Sequence, residues 1–111
     1  MSPATSDPVG ELAEFLQPYV TSIVERINVD EFTTVELIEA MQLDEETRAA
    51  YQEALSRWSE RDETLSKMVI HGQAIPLALR ECNLVEWAGF AHGADDPYAV
   101  PAWWRKVGAG A

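Results

Sequence analysis

The sequence predicts a mainly helical α+β fold, with four to five helices followed by a C-terminal two-stranded β-hairpin. Through most of the chain, apolar residues recur at spacings of three and four, as they do on the buried face of an amphipathic helix. Near the C-terminus, two stretches rich in aromatic and β-branched residues, LVEWAGFA and YAVPAWWRKV, flank the loop-forming segment HGADDP. At 111 residues, of which 47% are hydrophobic, the chain is large enough for one core and too small for two domains.

The first helix is predicted from an apolar face that reaches Ile27. Because Pro18 lacks a backbone N–H, we expect either a kink or two short helices that meet just before it. Residues 1–10 are rich in Pro, Ser and Thr and lack apolar periodicity, which predicts a disordered lead. The predicted globular domain therefore spans residues 11–107, and residues 108–111 form a flexible tail.

Two more helices follow, and each has a recognisable start. Thr33 stands three residues before Glu36, the spacing of a capping box, which predicts a short helix in the segment FTTVELIEAM. Asp44 can cap a third helix, in which two glutamates lie in the first turn and are favoured by the helix dipole. The polar run SERDE at residues 59–63 is predicted to end that helix.

The segment after residue 63 is predicted to contain the last helices and then the hairpin. Gly72 should break or bend the chain, Pro76 can stand in the first turn of the final helix, and Asn83 can end it. In the hairpin, Pro101 should occupy an unpaired position of an edge strand, because it has no N–H to donate to a neighbouring strand.

The last predicted strand carries two adjacent tryptophans, Trp103 and Trp104. Successive side chains of a strand point to opposite faces, so one ring is predicted to be buried. The other ring needs different cover or serves as an exposed anchor for a partner. The pattern leaves open which ring is buried, and its neighbour across the hairpin is expected among Val85, Trp87 and Phe90.

The formal net charge of −11 is unevenly distributed along the chain. Residues 1–63 hold 15 acidic and 4 basic residues, which gives −11, whereas residues 64–111 hold 4 of each. Between residues 25 and 46, eight carboxylates are opposed by Arg26 alone. Such a stretch repels a phosphate backbone over about 8 to 10 Å at physiological salt. It indicates either a surface that only aids solubility or one that meets a basic partner.

The order of these elements resembles that of a winged helix-turn-helix domain over roughly residues 30–107. The resemblance is carried by the short helix opened by FTT, the helix with ALREC, and the hairpin that ends in WWRKV. It implies that ALREC matches the helix that enters the DNA major groove and that HGADDP matches the tip of the wing. The residues that it implies for DNA contact are Arg80, Asn83, Arg105 and Lys106.

No motif in the sequence predicts catalysis, a cofactor or a metal site. The glycines lack the spacing of a phosphate-binding loop, and His71 and His92 lack the paired spacing of metal ligands on a helix. Cys82 lies in an apolar stripe and is predicted to be a buried structural thiol. Asp95 and Asp96 are expected to form a turn. We therefore predict that the protein is not an enzyme and needs no cofactor.

The sequence also predicts a cytoplasmic protein. A single cysteine permits no intrachain disulfide, which is typical of a reducing compartment. No apolar run approaches the roughly 18 residues of a membrane helix, and the start MSPATSDPVG lacks the basic and apolar segments of a signal peptide.

Two function classes stay open. The favoured hypothesis is a small acidic protein-interaction module on a winged-helix-like scaffold, which binds another protein through that protein's basic surface. In size and charge the chain is similar to acidic anti-CRISPR and anti-restriction proteins, which implies a phage or mobile-element inhibitor that mimics DNA. The predicted acidic surface comprises Glu36, Glu39, Asp44, Glu45 and Glu46. The predicted aromatic and basic contact residues are Trp103, Trp104, Arg105 and Lys106.

The alternative is a DNA-binding transcriptional regulator of the winged helix-turn-helix type. DNA binding is disfavoured by the charge, because the neutral half of the chain offers few cations to neutralise several phosphates. A homodimer would double that basic patch and also stays open.

Overall fold

A computed structural model describes residues 8–57, 63–91, 96 and 98–107 of the chain. The mainly helical α+β class predicted from the sequence is confirmed. In chain order, the elements of the described part are α1 (Pro8–Arg26), β1 (Glu31–Thr33), α2 (Thr34–Leu43), α3 (Glu45–Arg57), α4 (Glu63–Val69), α5 (Ile75–Glu81), β2 (Val85–Phe90) and β3 (Ala102–Lys106). A π turn, Ile70–Ala74, joins α4 to α5.

The first helix is continuous through Pro18, so the predicted division into two short helices is wrong. Pro18 is exposed, and water can therefore bond the carbonyl that its ring leaves without a donor. The helix begins at Pro8, inside the predicted lead, and proline is well tolerated in a first turn. Residues 1–7 and 108–111, where the rest of the lead and the tail were predicted, lie outside the described residues.

The predicted start of α2 is confirmed in detail. The Thr33 hydroxyl accepts a hydrogen bond from the Glu36 amide at 3.1 Å, and the Glu36 carboxylate accepts one from the Thr33 amide at 2.9 Å. Both partners of this capping box satisfy backbone donors that the first helical turn leaves open. At the other end of α2, the Thr47 hydroxyl donates to the Met41 carbonyl at 2.6 Å and so fixes the corner between α2 and α3.

Gly72 lies inside the π turn, and the helical path from α4 to α5 continues through it without interruption. Pro76 stands in the first turn of α5, as predicted, and has no N–H to offer the preceding turn, which is consistent with the widening there. Asn83 follows the end of α5 with φ of 62°, a left-handed conformation that confirms it as the helix end.

The three strands form one antiparallel sheet in the order β1-β3-β2. The strands β2 and β3 of the predicted hairpin are confirmed, but β1 was not predicted, because its residues were assigned only to the start of α2. As β3 is central, the prediction that Pro101 lies in an edge strand is wrong. Pro101 precedes β3, and its carbonyl accepts a hydrogen bond from the Ala91 amide at 2.9 Å. Gly89, with φ of 117°, lies in a register shift of β2.

The structure settles which of the two adjacent tryptophans is buried. Trp104 is 0% exposed, whereas Trp103 is 38% exposed. In register, Trp104 lies between Phe32 of β1 and Trp87 of β2, one of the three neighbours expected from the sequence. The Trp104 indole N–H donates to the Thr34 hydroxyl at 2.9 Å, so the sheet and the start of α2 share one packed centre.

Candidate interaction surface

A cleft of about 320 Å³ opens between the C-terminal turns of α1 and α2. The corner between α2 and α3 positions its walls, because Leu37, Ile38 and Met41 of α2 are buried and direct the opposite side of the helix outward. The residues that line the cleft are Ile23, Arg26, Ile27, Ala40, Leu43 and Asp44. The cleft thus combines an apolar wall with one cation and one carboxylate.

The rim of the cleft carries Leu43, whose side chain is 88% exposed. Leu43, the last residue of α2, thus buries little of its apolar surface against the described part of the chain. Single exposed apolar residues are normal on protein surfaces. Leu43 differs because it also lines the cleft, together with the apolar side chains of Ile23, Ile27 and Ala40.

An ion pair also lies at the rim, where Arg26 Nη2 is 3.7 Å from Asp44 Oδ2. Both side chains are about half exposed, at 54% and 42%, so water screens this contact and it stabilises the fold little. The Arg26 Nε also donates to the Ser22 carbonyl at 3.3 Å within α1. The pair is therefore weak enough for a competing cation to approach Asp44.

The structure divides the five predicted acidic residues into two groups. Glu36 is held in the capping box and Asp44 lies next to Arg26, so both serve internal contacts. Glu39, Glu45 and Glu46 are exposed, and no described residue forms an ion pair with them. Residues four apart on a helix are neighbours, which places Glu39 of α2 beside the exposed Leu43. Glu45 and Glu46 follow directly in the first turn of α3.

The basic residues of the C-terminal strand are engaged within the protein. Arg105 lies on the outer face of the sheet, and its guanidinium bonds Glu31 and Glu86, each at 3.0 Å. These hydrogen bonds, first that to Glu31, raise the pKa of Arg105 above its ordinary value. Lys106 is half-buried, and its ammonium donates to the Ile27 carbonyl at 2.5 Å. Two of the four residues predicted for DNA contact, Arg105 and Lys106, are thus already hydrogen-bonded within the protein.

The other predicted contact residues lie on two different elements, and not all of them are exposed. Arg80 and Asn83 are exposed at the end of α5. Trp103 shares the outer face of β3 with Arg105, because residues two apart in a strand point the same way. Trp104 is wholly buried and is therefore not available to a partner.

A buried polar cluster that the sequence did not reveal surrounds His71 in the π turn. The Tyr51 hydroxyl lies 2.7 Å from His71 Nε2, and His71 Nδ1 lies 3.0 Å from Asp96 Oδ2. A neutral ring protonated at Nδ1 satisfies both contacts, donating to the carboxylate and accepting from the hydroxyl. The side chains of His71 and Asp96 are only 10% and 4% exposed. His71 therefore lies at the edge of the core, in a helical turn, with both ring nitrogens engaged.

This cluster fastens the connection between β2 and β3 to the helices. Asp96 also accepts a hydrogen bond from the Tyr98 amide at 2.8 Å, which agrees with its predicted role in a turn. The Tyr98 ring meets the His71 ring edge-on, with 5.3 Å between ring centroids. A Cβ on Gly72 would lie 3.2 Å from Ala99 Cβ, so Ala99 packs closely against the π turn. Asp95 and His92 lie outside the described residues.

The arrangement of this cluster suits fastening better than catalysis. Tyr51 is 3% exposed, so its side chain is almost wholly buried. Asp–His–hydroxyl chains perform catalysis where the hydroxyl is accessible to a reacting group. Sequence alone offers little signal for the cluster, because its members lie 20 and 25 residues apart and on different elements.

Neither a metal-binding cluster nor a membrane-spanning helix is present in the described ranges of the chain. These ranges hold no group of three or more His, Cys, Asp or Glu side chains that could bind a metal ion. In the same ranges, no helix is both long and apolar enough to cross a bilayer.

Comparison with protein-family models, with curated proteins and with solved structures gives no significant match to this chain. The resemblance to winged helix-turn-helix domains therefore stays a prediction. The function has to be argued from the residues themselves.

Proposed function

We propose that the protein is a small acidic interaction module that binds a basic surface of another protein through the corner between α2 and α3. The observation that carries this proposal is the group of three exposed carboxylates, Glu39, Glu45 and Glu46, which no described cation neutralises. A surface that presents uncompensated charge attracts an oppositely charged partner and speeds their encounter. The basic face of a nucleic-acid-binding protein has the chemistry that such a surface would meet.

The placement of the basic residues supports this proposal over the DNA-binding alternative. A protein that binds duplex DNA neutralises several phosphates with outward-facing cations. Arg105 is bonded to two carboxylates and Lys106 is bonded to a backbone carbonyl. Among the described residues, this leaves Arg80 as the cation of the predicted DNA-contact set that is exposed and not engaged by a carboxylate or carbonyl. No observation in the described part of the chain favours the alternative.

Replacing Glu39, Glu45 and Glu46 together by glutamine is expected to reduce partner capture by about tenfold or more, because the surface loses three charges at one place. The measurement is quantitative affinity capture from a lysate of the source organism, with the captured proteins quantified by mass spectrometry. Binding that depends on these charges should also weaken as salt is raised. Glu36 stays unchanged in this variant because it forms the capping box of α2, and Asp44 stays unchanged because it already lies next to Arg26.

The matched control changes the net charge equally at other places, with Glu14, Glu25 and Glu81 replaced by glutamine. These three residues are exposed and lie outside the corner between α2 and α3. The control variant should capture the same partner as the wild type. Equal capture by both variants would contradict the proposal. An anisotropy titration with duplex DNA at about 50 mM salt tests the alternative, and tight binding there that is lost on removing Arg80 would favour it.

A further inference from the structure

We infer that the cleft between α1 and α2 receives one apolar side chain from a basic segment of a partner protein, with Leu43 closing over that side chain. The inference rests on the proposed function and deepens it. The proposed function requires only charge, whereas the cleft adds a requirement for an apolar group at a defined place. The partner segment would therefore carry an aliphatic or aromatic residue flanked by lysine or arginine.

The size and lining of the cleft fit a side chain. The cleft is open to solvent, and its volume of about 320 Å³ lies at the lower end of the roughly 300 to 1,000 Å³ of ligand pockets, so it has room for a side chain that stays partly exposed. Ile23, Ile27 and Ala40 supply its apolar wall. Leu43, at 88% exposed, has the most apolar surface to gain from a bound group.

The charges around the cleft identify the partner as basic. Glu39 lies one helical turn before Leu43, and Glu45 and Glu46 follow it directly. Asp44 lines the cleft itself, and the ion pair that its carboxylate forms among the described residues is with the half-exposed Arg26. An incoming lysine or arginine can thus replace Arg26 beside Asp44 while an adjacent apolar residue enters the cleft. Such combined recognition, an apolar anchor with charged flanks, is typical of specific protein interfaces.

A second copy of this chain does not fit the same site. The chain has 19 acidic and 8 basic residues, so two copies would bring like charges together around the cleft. Like-charge contact at an interface suppresses association. Charge complementarity therefore selects a basic partner as the occupant.

The test begins with a phage-displayed library of random dodecapeptides, selected on the wild-type protein. The expected enrichment is for peptides with an aliphatic or aromatic residue flanked by lysine or arginine. The most enriched peptide is then synthesised with a fluorophore, and its Kd is measured by anisotropy on the wild type and on each variant. Chemical shift changes at the Ile23 and Ile27 methyl groups should accompany binding, because both line the cleft.

Two variants test the cleft without altering the carboxylates. Leu43→Ser removes the exposed leucine side chain at the rim, and Ala40→Met places a larger side chain in the cleft. Each is expected to weaken the Kd by about tenfold or more, the effect of losing a central apolar contact. Leu43→Ser should leave the free energy of unfolding unchanged, because the side chain is exposed. Replacing the apolar residue of the peptide by serine should weaken its binding to the wild type. The same replacement should have little further effect on binding to the Leu43→Ser variant, because the apolar contact is already lost there.

A third variant tests the competition at the rim. Arg26→Gln frees Asp44 and is expected to tighten the Kd of a basic peptide by about twofold to fivefold, in the range of an exposed ion pair. Weaker binding to this variant would contradict the placement of the peptide's cation beside Asp44.

The outcomes separate this inference from the proposed function. Basic peptides that bind the wild type, Leu43→Ser and Ala40→Met equally would overturn the cleft while leaving the acidic surface in place. If apolar peptides bind the wild type and the triple glutamine variant equally well, the basic partner is overturned, and the proposed function with it. A dimer in sedimentation that Leu43→Ser dissociates would assign the cleft to a second copy instead. Failure to enrich any peptide above background would also overturn the inference.

Discussion

Replacing Trp104 by alanine is expected to lower the free energy of unfolding by about 3 to 5 kcal/mol, as removing a fully buried tryptophan does elsewhere. The ring is 0% exposed on the central strand, so the variant leaves a large void between the sheet and the helices. It also removes the indole N–H that bonds Thr34. Domains of this size have total stabilities of about 5 to 15 kcal/mol, so the variant should lie close to unfolding. Urea denaturation followed by circular dichroism measures the loss.

The adjacent tryptophan provides a matched control. Trp103 is 38% exposed on the opposite face of the same strand, and its replacement by alanine is expected to change the stability by no more than about 1 kcal/mol. The two variants remove the same side chain from neighbouring positions, so composition and strand propensity are equal between them. Equal losses from both variants would contradict the assigned faces of β3.

Local rules account for the elements that the sequence predicted correctly. The helices follow from apolar spacing, the start of α2 from the pair Thr33 and Glu36, and the end of α5 from Asn83. The burial of one tryptophan and the exposure of the next follow from the alternation of strand side chains. Each of these features depends on residues that are close together in the chain.

The features that were missed depend on residues that are far apart. The strand β1 has three residues, too few for alternation to be visible, and it exists because it pairs with β3 more than 60 residues later. The continuity of α1 through Pro18 depends on which side of the helix faces the solvent. The His71 cluster needs the connection between β2 and β3 to fold back on the π turn.

The candidate surface was likewise only partly predictable. The sequence identifies the acidic stretch, because charge can be counted, but it does not show which carboxylates are already engaged. Glu36 has the spacing that fits a helix cap, and the structure places its carboxylate there. The cleft beside Leu43 was not predicted at all, since it arises from how the ends of α1 and α2 lie side by side. Folding therefore engages Glu36 in a helix cap and pairs Asp44 only weakly with Arg26. It leaves the other three predicted carboxylates exposed.

Replacing His71 by alanine is expected to lower the free energy of unfolding by about 2 to 6 kcal/mol. The variant removes two side-chain hydrogen bonds, each contributing about 0.5 to 1.5 kcal/mol, and leaves a buried carboxylate without its ring partner, at a further cost of about 1 to 3 kcal/mol. Asp96 is the residue affected most, because it is only 4% exposed. The loss is measured by urea denaturation, with Gln73→Ala, an exposed position in the same π turn, as the control.

A fastening role makes a more specific prediction than a general loss of stability. If His71 holds the connection between β2 and β3, its removal should speed hydrogen exchange at the Tyr98 and Ala99 amides before the rest of the chain is affected. In a double-mutant cycle, Asp96→Ala combined with His71→Ala should cost less than the sum of the two single changes, because both remove the same contact. Additive losses, or uniform exchange over the whole chain, would contradict the fastening role and would leave His71 as an ordinary core residue.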